Sequence, residues 1–158
     1  MKANYLLPNR FKKIGWVLFI PVAIISLIWT IIPYESNFFN INVFAIINNE
    51  ILKETEYFIF IKNNIQDEIL GILIIVSLIF IAFSKEKNED EFILKIRLES
   101  LVWATYFNYA ILLIAIILVY NFAFFWVLVL NMFTVLIFFI IRFNWAIYKS
   151  KKSITDEK

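Results

Sequence analysis

Ser84–Trp103, SKEKNEDEFILKIRLESLVW, is the only densely charged block lying between two long apolar runs. Each Lys, Arg or Asp at the centre of a bilayer costs about 2.5 to 3.5 kcal/mol, so such a block stays outside the hydrocarbon. It is an elbow that divides the chain into a front half with two apolar segments and a back half with two more. Composition sets the class around it: 62% hydrophobic, 19% aromatic and 18% charged residues over 158, with a mean hydropathy of +0.80. Soluble domains carry about a quarter charged residues, and the chain reads as a polytopic membrane protein. A net charge of +2 with basic residues spread along the chain is no nucleic-acid footprint. Cys and His are both missing from the sequence, which excludes disulfides, thiol chemistry, His-ligated metals and a His general base.

Outward from the elbow, the spacing predicts an all-α membrane protein with four transmembrane helices, at about 14–34, 68–84, 100–120 and 123–142. An outer loop (35–67), the elbow (85–99) and a cytoplasmic tail (143–158) complete a single integral membrane domain. Ile14–Tyr34 is free of charge for 21 residues, enough to cross, since a span needs about 20. A secretory signal would have a shorter apolar core followed by a small-residue cleavage site, whereas Ile31, Ile32, Pro33 and Tyr34 follow here. Pro21 is expected to kink this first helix. Ile69–Ser84 is uncharged for only 16 residues and spans by recruiting its flanks, with Asn64 or Asp67 as cap and Lys85 and Lys87 complementing its far end.

Ser100–Ile141 is uncharged for 42 residues, which as one helix would measure about 63 Å, twice the hydrocarbon thickness. It must fold back, and the best candidate for the turn is Tyr120, Asn121, Phe122 and Ala123, with Asn121 able to take a left-handed conformation. That fold sets Asn108 beside Thr134 with Asn131 about one turn away, as polar contacts within the membrane. With few small residues and no G-x-x-x-G motif, large side chains and these few hydrogen bonds are expected to hold the hairpin together.

The outer loop is acidic, with Glu35, Glu50, Glu54, Glu56, Asp67 and Glu68 against Lys53 and Lys62. Its two apolar clusters, Asn37–Ile47 and Glu56–Lys62, alternate as strands do and equally suit interfacial helices; the reading adopted is interfacial helix and turn. In the elbow, Asn88 with Glu91 three residues on resembles a capping box, and Glu89, Asp90 and Glu91 fill the positive first turn of a helix.

Orientation follows from sorting Lys and Arg. Thirteen of fifteen fall before the first span, in the elbow or after the last span, so both termini and the elbow are expected in the cytoplasm. Three stretches, FSKEKNEDE (Phe83–Glu91), RLESLVW (Arg97–Trp103) and NMFTVLIFFIIRF (Asn131–Phe143), together resemble an uncharacterised family of small four-span membrane proteins of flavobacteria and related bacteria. The resemblance implies the bacterial inner membrane and attaches no activity.

Three functional classes compete. A coupled transporter usually places a charged side chain within its spans, and between their end residues these four have none. A small oligomeric channel would line a pore with Ser77, Thr105, Asn108, Asn131 and Thr134, against which interhelical packing is the preferred reading. A membrane enzyme would use Glu86, Glu89, Asp90 and Glu91 for Mg²⁺ or Mn²⁺, yet no phosphate loop and no partnered nucleophile accompany them. The preferred reading is a non-catalytic sensor, regulatory or assembly module with no cofactor and no catalytic or metal residues. Its candidate cytoplasmic interaction elbow is Glu86, Glu89, Asp90, Glu91, Lys95 and Arg97. The partners expected are the lipid bilayer, a protein at the elbow and a second copy of the chain, and not nucleic acid.

Overall fold

A computed structural model describes residues 5–32, 37–49, 54–87 and 89–156. Within them the order is α1 (Asn9–Ile31), one 3₁₀ turn (Asn37–Phe39), β1 (Asn40–Asn48), β2 (Glu56–Asn64), α2 (Gln66–Ala82), α3 (Glu91–Leu118) and α4 (Phe122–Asp156). Three helices are long and apolar enough to cross a membrane: α1, α3, and α4 as far as Lys152. At 1.5 Å per residue α2 is about 25 Å long, a few ångströms short of a typical hydrocarbon core.

α1 starts behind Pro8, whose carbonyl accepts from the Phe11 N–H at 3.0 Å. It is already helical five residues before its uncharged run begins, and it continues through Pro21. It packs along α2, and the two backbones meet at Gly15. A Cβ there would lie 2.8 Å from Ile81 Cγ1 and 2.9 Å from the Ser77 carbonyl. Close approach at a small residue, one of the ways membrane helices associate, therefore operates in the front pair, although the sequence offered no G-x-x-x-G.

The outer segment corrects the sequence reading: it is a β-hairpin, not an interfacial helix and turn. β1 and β2 pair antiparallel with Phe44 opposite Phe60 and Val43 opposite Ile61. The run is rich in β-branched and aromatic residues at period two, and nine residues with backbone polar groups paired across a ladder satisfy them without needing an apolar stripe at helical spacing. Phe44, Ile46, Phe58 and Phe60 are exposed, and Phe44 packs on Phe60 with ring centroids 5.3 Å apart. Phe58 holds a φ of 54, a left-handed position costly for a bulky residue, and the ladder skips it. The hairpin sits directly on α2: Asn64 Oδ1 accepts from the Gln66 N–H at 3.0 Å, and the Ile65 N–H donates to the Phe39 carbonyl at 3.1 Å.

α3 and α4 form an antiparallel pair turned at Asn121, whose φ is 59. The Phe124 N–H donates to the Asn121 carbonyl at 3.0 Å. α4 runs on without a break through the expected tail as far as Asp156. The helix start in the elbow also departs from expectation. Asp90 is the N-cap of α3, its Oδ1 accepting from the Ile93 N–H at 2.8 Å. Asn88 lies outside the described residues, and Glu89 is turned away to another partner.

The buried core gathers at the elbow end. Leu78, Ile81 and Ala82 of α2 pack with Ala104 of α3 and with Phe139, Ile140 and Phe143 of α4. Phe83, Phe139 and Phe143 stack in series, with centroids 5.9 and 5.6 Å apart.

Candidate functional site

The C-terminal end of α2 leaves carbonyls without intrahelical donors, as every helix end does. A basic side chain is expected there, but neither Lys85 nor Lys87 supplies it. Arg97, two turns into α3, reaches back instead. Its Nη1 donates to the Ala82 carbonyl at 2.7 Å and its Nη2 to the Ser84 carbonyl at 3.1 Å. The same Nη2 meets the Glu89 carboxylate at 3.1 and 3.2 Å, and the guanidinium lies 4.4 Å from the centroid of the Phe143 ring. The Arg97 and Glu89 side chains are only 9% and 13% exposed, so this is a buried ion pair that also caps a helix. Arg97 Nε has no acceptor among the described residues.

A second pair closes the same end. Lys12 of α1 donates to Glu86 Oε1 and, at 3.2 Å, to Asn144 Oδ1 of α4. Asn144 is itself held by the Ile140 carbonyl, to which its Nδ2 donates at 2.8 Å. The segment ahead of α1 is stitched to the elbow: the Leu7 N–H donates to the Phe83 carbonyl, the Lys85 N–H to the Leu7 carbonyl, and Asn9 Nδ2 to the Lys85 carbonyl at 2.7 Å. Ser84, 1% exposed, bonds back to the Phe80 carbonyl. Four elements thus meet in one polar knot on an aromatic floor.

This geometry redistributes the six elbow residues. Glu86, Glu89 and Arg97 point inward and are spent on Lys12, on one another and on backbone carbonyls. Asp90 is spent on the cap. Glu91 and Lys95 are exposed on α3, with Lys95 3.9 Å from Glu99. The four acids do not converge: no group of three that would hold a metal ion occurs among the described residues. Sequence reading missed Lys12, Ser84, Asn144 and the inward course of Arg97. A signal for the last was available, because Arg97, Ser100, Ala104 and Asn108 recur at spacings of three and four and are all buried.

Higher in the back pair the structure brings Asn108, Asn131 and Thr134 together. Asn108, 1% exposed, accepts from Asn131 Nδ2 at 3.2 Å and from the Thr134 hydroxyl at 2.5 Å. Ser77 and Thr105 donate to carbonyls of their own helices, Ile74 at 2.8 Å and Leu101 at 2.9 Å. Hydroxyls satisfied in this way are directed along the helix and not into a shared channel. Fold and site together define a helical membrane protein whose polar side chains are largely committed to internal contacts. No family model, curated protein sequence or solved structure matches the chain.

Proposed function

We propose that this chain is a four-span module of the bacterial inner membrane, with both termini and the elbow in the cytoplasm. It acts as a sensor, regulatory or assembly subunit by binding and not by catalysis. Support for the fourth span is the stitching of Leu7 to Phe83 and Lys85: the far end of α2 returns to where α1 begins, as a second crossing beside α1 would. The distribution of Lys and Arg supports the orientation, and the three helices long and apolar enough to cross support the membrane.

The observation that carries the functional reading is the knot. Two ion pairs and a capped helix end hold the cytoplasmic end of the four helices in one arrangement, leaving Glu91, Phe92, Lys95 and Leu98 exposed on one rigid helix. A protein partner docks on that face, while the inward residues of the elbow keep it in shape. The channel reading is less well supported, because the best pore candidate, Asn108, already accepts two hydrogen bonds and is shielded.

The test is a photo-crosslinking amino acid at position 92 in native membranes, with adducts identified by mass spectrometry in the parent and in a Glu91→Lys/Lys95→Glu variant. The expected result is one protein adduct that the variant loses. Lipid-only adducts from position 92, together with ion flux by the parent chain in liposomes, would overturn the reading in favour of a channel.

A further inference from the structure

The geometry points to a binding site for the phosphate of an anionic phospholipid headgroup, built by Arg142 between Trp103 and Trp145 with Lys149 and Lys152 below it. The back half of the chain carries two arginines at the same end of the bundle, and they are used oppositely. Arg97 is buried and its terminal nitrogens are consumed by protein acceptors. Arg142 is half-buried and donates no hydrogen bond and forms no ion pair among the described residues. It is held only by aromatic faces, its guanidinium carbon 5.5 Å from the Trp103 centroid and 5.1 Å from that of Trp145.

The Trp103 face is buttressed from behind. Trp103 stacks on Phe107 at 4.8 Å, and Phe107 abuts Phe138 of α4 edge-on at 5.0 Å. Arg142 is the first charge after the uncharged run that ends at Ile141, so its depth is where hydrocarbon gives way to headgroups. Indole rings favour that same level. A guanidinium pre-positioned by stacking, with its planar fork of donors unspent, matches a phosphodiester bidentately.

The surrounding charge agrees. Lys149 lies 5.7 Å from the Trp145 ring, and Lys152 follows one turn on, exposed. Glu99, one turn before Trp103 on α3, is the acid in this row, and Lys95 already faces it at 3.9 Å. A headgroup with no ammonium of its own, such as phosphatidylglycerol, suits the site; a zwitterionic one brings a cation that Lys149 and Lys152 repel. The inference needs only α3 and α4 to cross and is independent of the proposed function and of the α2 span.

The experiment uses the full chain in neutral detergent, titrated with phosphatidylglycerol or phosphatidylethanolamine, with retained lipid counted by native mass spectrometry. The parent is expected to prefer phosphatidylglycerol. Arg142→Gln should lower its retention at least about fivefold, the effect of one basic charge at an anionic surface, and Arg142→Lys should recover only part. The melting curve of Arg142→Gln is recorded alongside. Should that variant unfold, quenching of the parent's Trp fluorescence by brominated phosphatidylglycerol over brominated phosphatidylethanolamine replaces it. Equal retention or quenching by the two lipids, an undiminished preference in a folded Arg142→Gln, or displacement of the lipid by equimolar inorganic phosphate would each overturn the proposal, the last by assigning the site to a free anion.

Discussion

Replacing Arg97 by Met removes the group on which the elbow end depends, and the structure sets both the size of the effect and its cause. The Arg97–Glu89 pair is almost wholly shielded, at 9% and 13% side-chain exposure. Taking away one member of such a pair costs about 3 to 5 kcal/mol, because the partner is left as an uncompensated charge. The carbonyls of Ala82 and Ser84 also lose a charged donor, each such bond contributing about 1.5 to 3 kcal/mol. Some of that returns as water reaches the opened end. The expected total is therefore about 4 kcal/mol, and not the sum of the parts.

The cause is separable from the size. In the double variant Arg97→Met/Glu89→Gln no charge is stranded, and replacing both members of a buried pair is often close to neutral. Only the orphaned carbonyls remain, leaving a loss of about 1 to 2 kcal/mol. The second substitution should thus return about 2 kcal/mol to the first, and the coupling, which also counts the cost of Glu89→Gln alone, is larger and well above the scatter of additive sites. Unfolding of the detergent-solubilised chain by dodecyl sulfate, followed by circular dichroism, reads all four corners of the cycle. If Glu89→Gln worsens Arg97→Met, or if Arg97→Met alone stays within about 0.5 kcal/mol of the parent, as ordinary surface changes do, the buried pair does not act as described.

Three further outcomes are expected. Asn108→Leu should cost about 1 to 2 kcal/mol and Asn131→Leu about half as much, since Asn108 is the common acceptor and interhelical bonds average about 0.6 kcal/mol; equal losses on the same titration would contradict the hub role of Asn108. Gly15→Ala should destabilise by about 1 to 3 kcal/mol through overpacking against α2 backbone, while Gly71→Ala, with nothing within 4 Å of the new Cβ, should be neutral or gain up to about 1 kcal/mol of helix propensity; thermal melts of the two variants decide it. Because the chain contains no cysteine, single Cys at Glu54 and Asn121 should react with an impermeant maleimide from outside, and Cys at Lys87 and Lys152 only after permeabilisation; labelling of the Lys87→Cys variant in sealed cells would refute the proposed orientation.

Much of the helical frame was legible because its signals are one-dimensional. Long uncharged runs mark α1 and the fold-back of α3 on α4, and Asn121, the asparagine nearest the middle of the second run, marks the turn. The hairpin is not legible in sequence because short apolar clusters carry both periods at once, and cross-strand pairing between residues such as Phe44 and Phe60 is a non-local fact. The elbow was read as a surface because its charges were counted and not paired. Lys12 and Glu86 are 74 positions apart, and no local rule couples them. Gly15 was passed over because its partners, Ser77 and Ile81, lie on another helix.

Under the proposed orientation, the pairing also accounts for an elbow with five acids and four bases on the side of a membrane chosen by positive charge. Acidic residues contribute little to orientation, but here two of them are also internally neutralised, Glu86 by Lys12 and Glu89 by Arg97. Asp90 faces the positive end of α3, where a carboxylate is stabilised by the helix dipole. Once these are set aside, the exposed cations at this end include Arg10, Lys13, Lys85, Lys87 and the lysines of α4, against the exposed Glu91, with the Lys95–Glu99 pair close to neutral. An elbow that is slightly acidic by count is therefore flanked by basic residues of α1 and α4 around a neutralised centre. That arrangement lets one set of carboxylates fasten the helix ends while the exposed charge at this end remains positive.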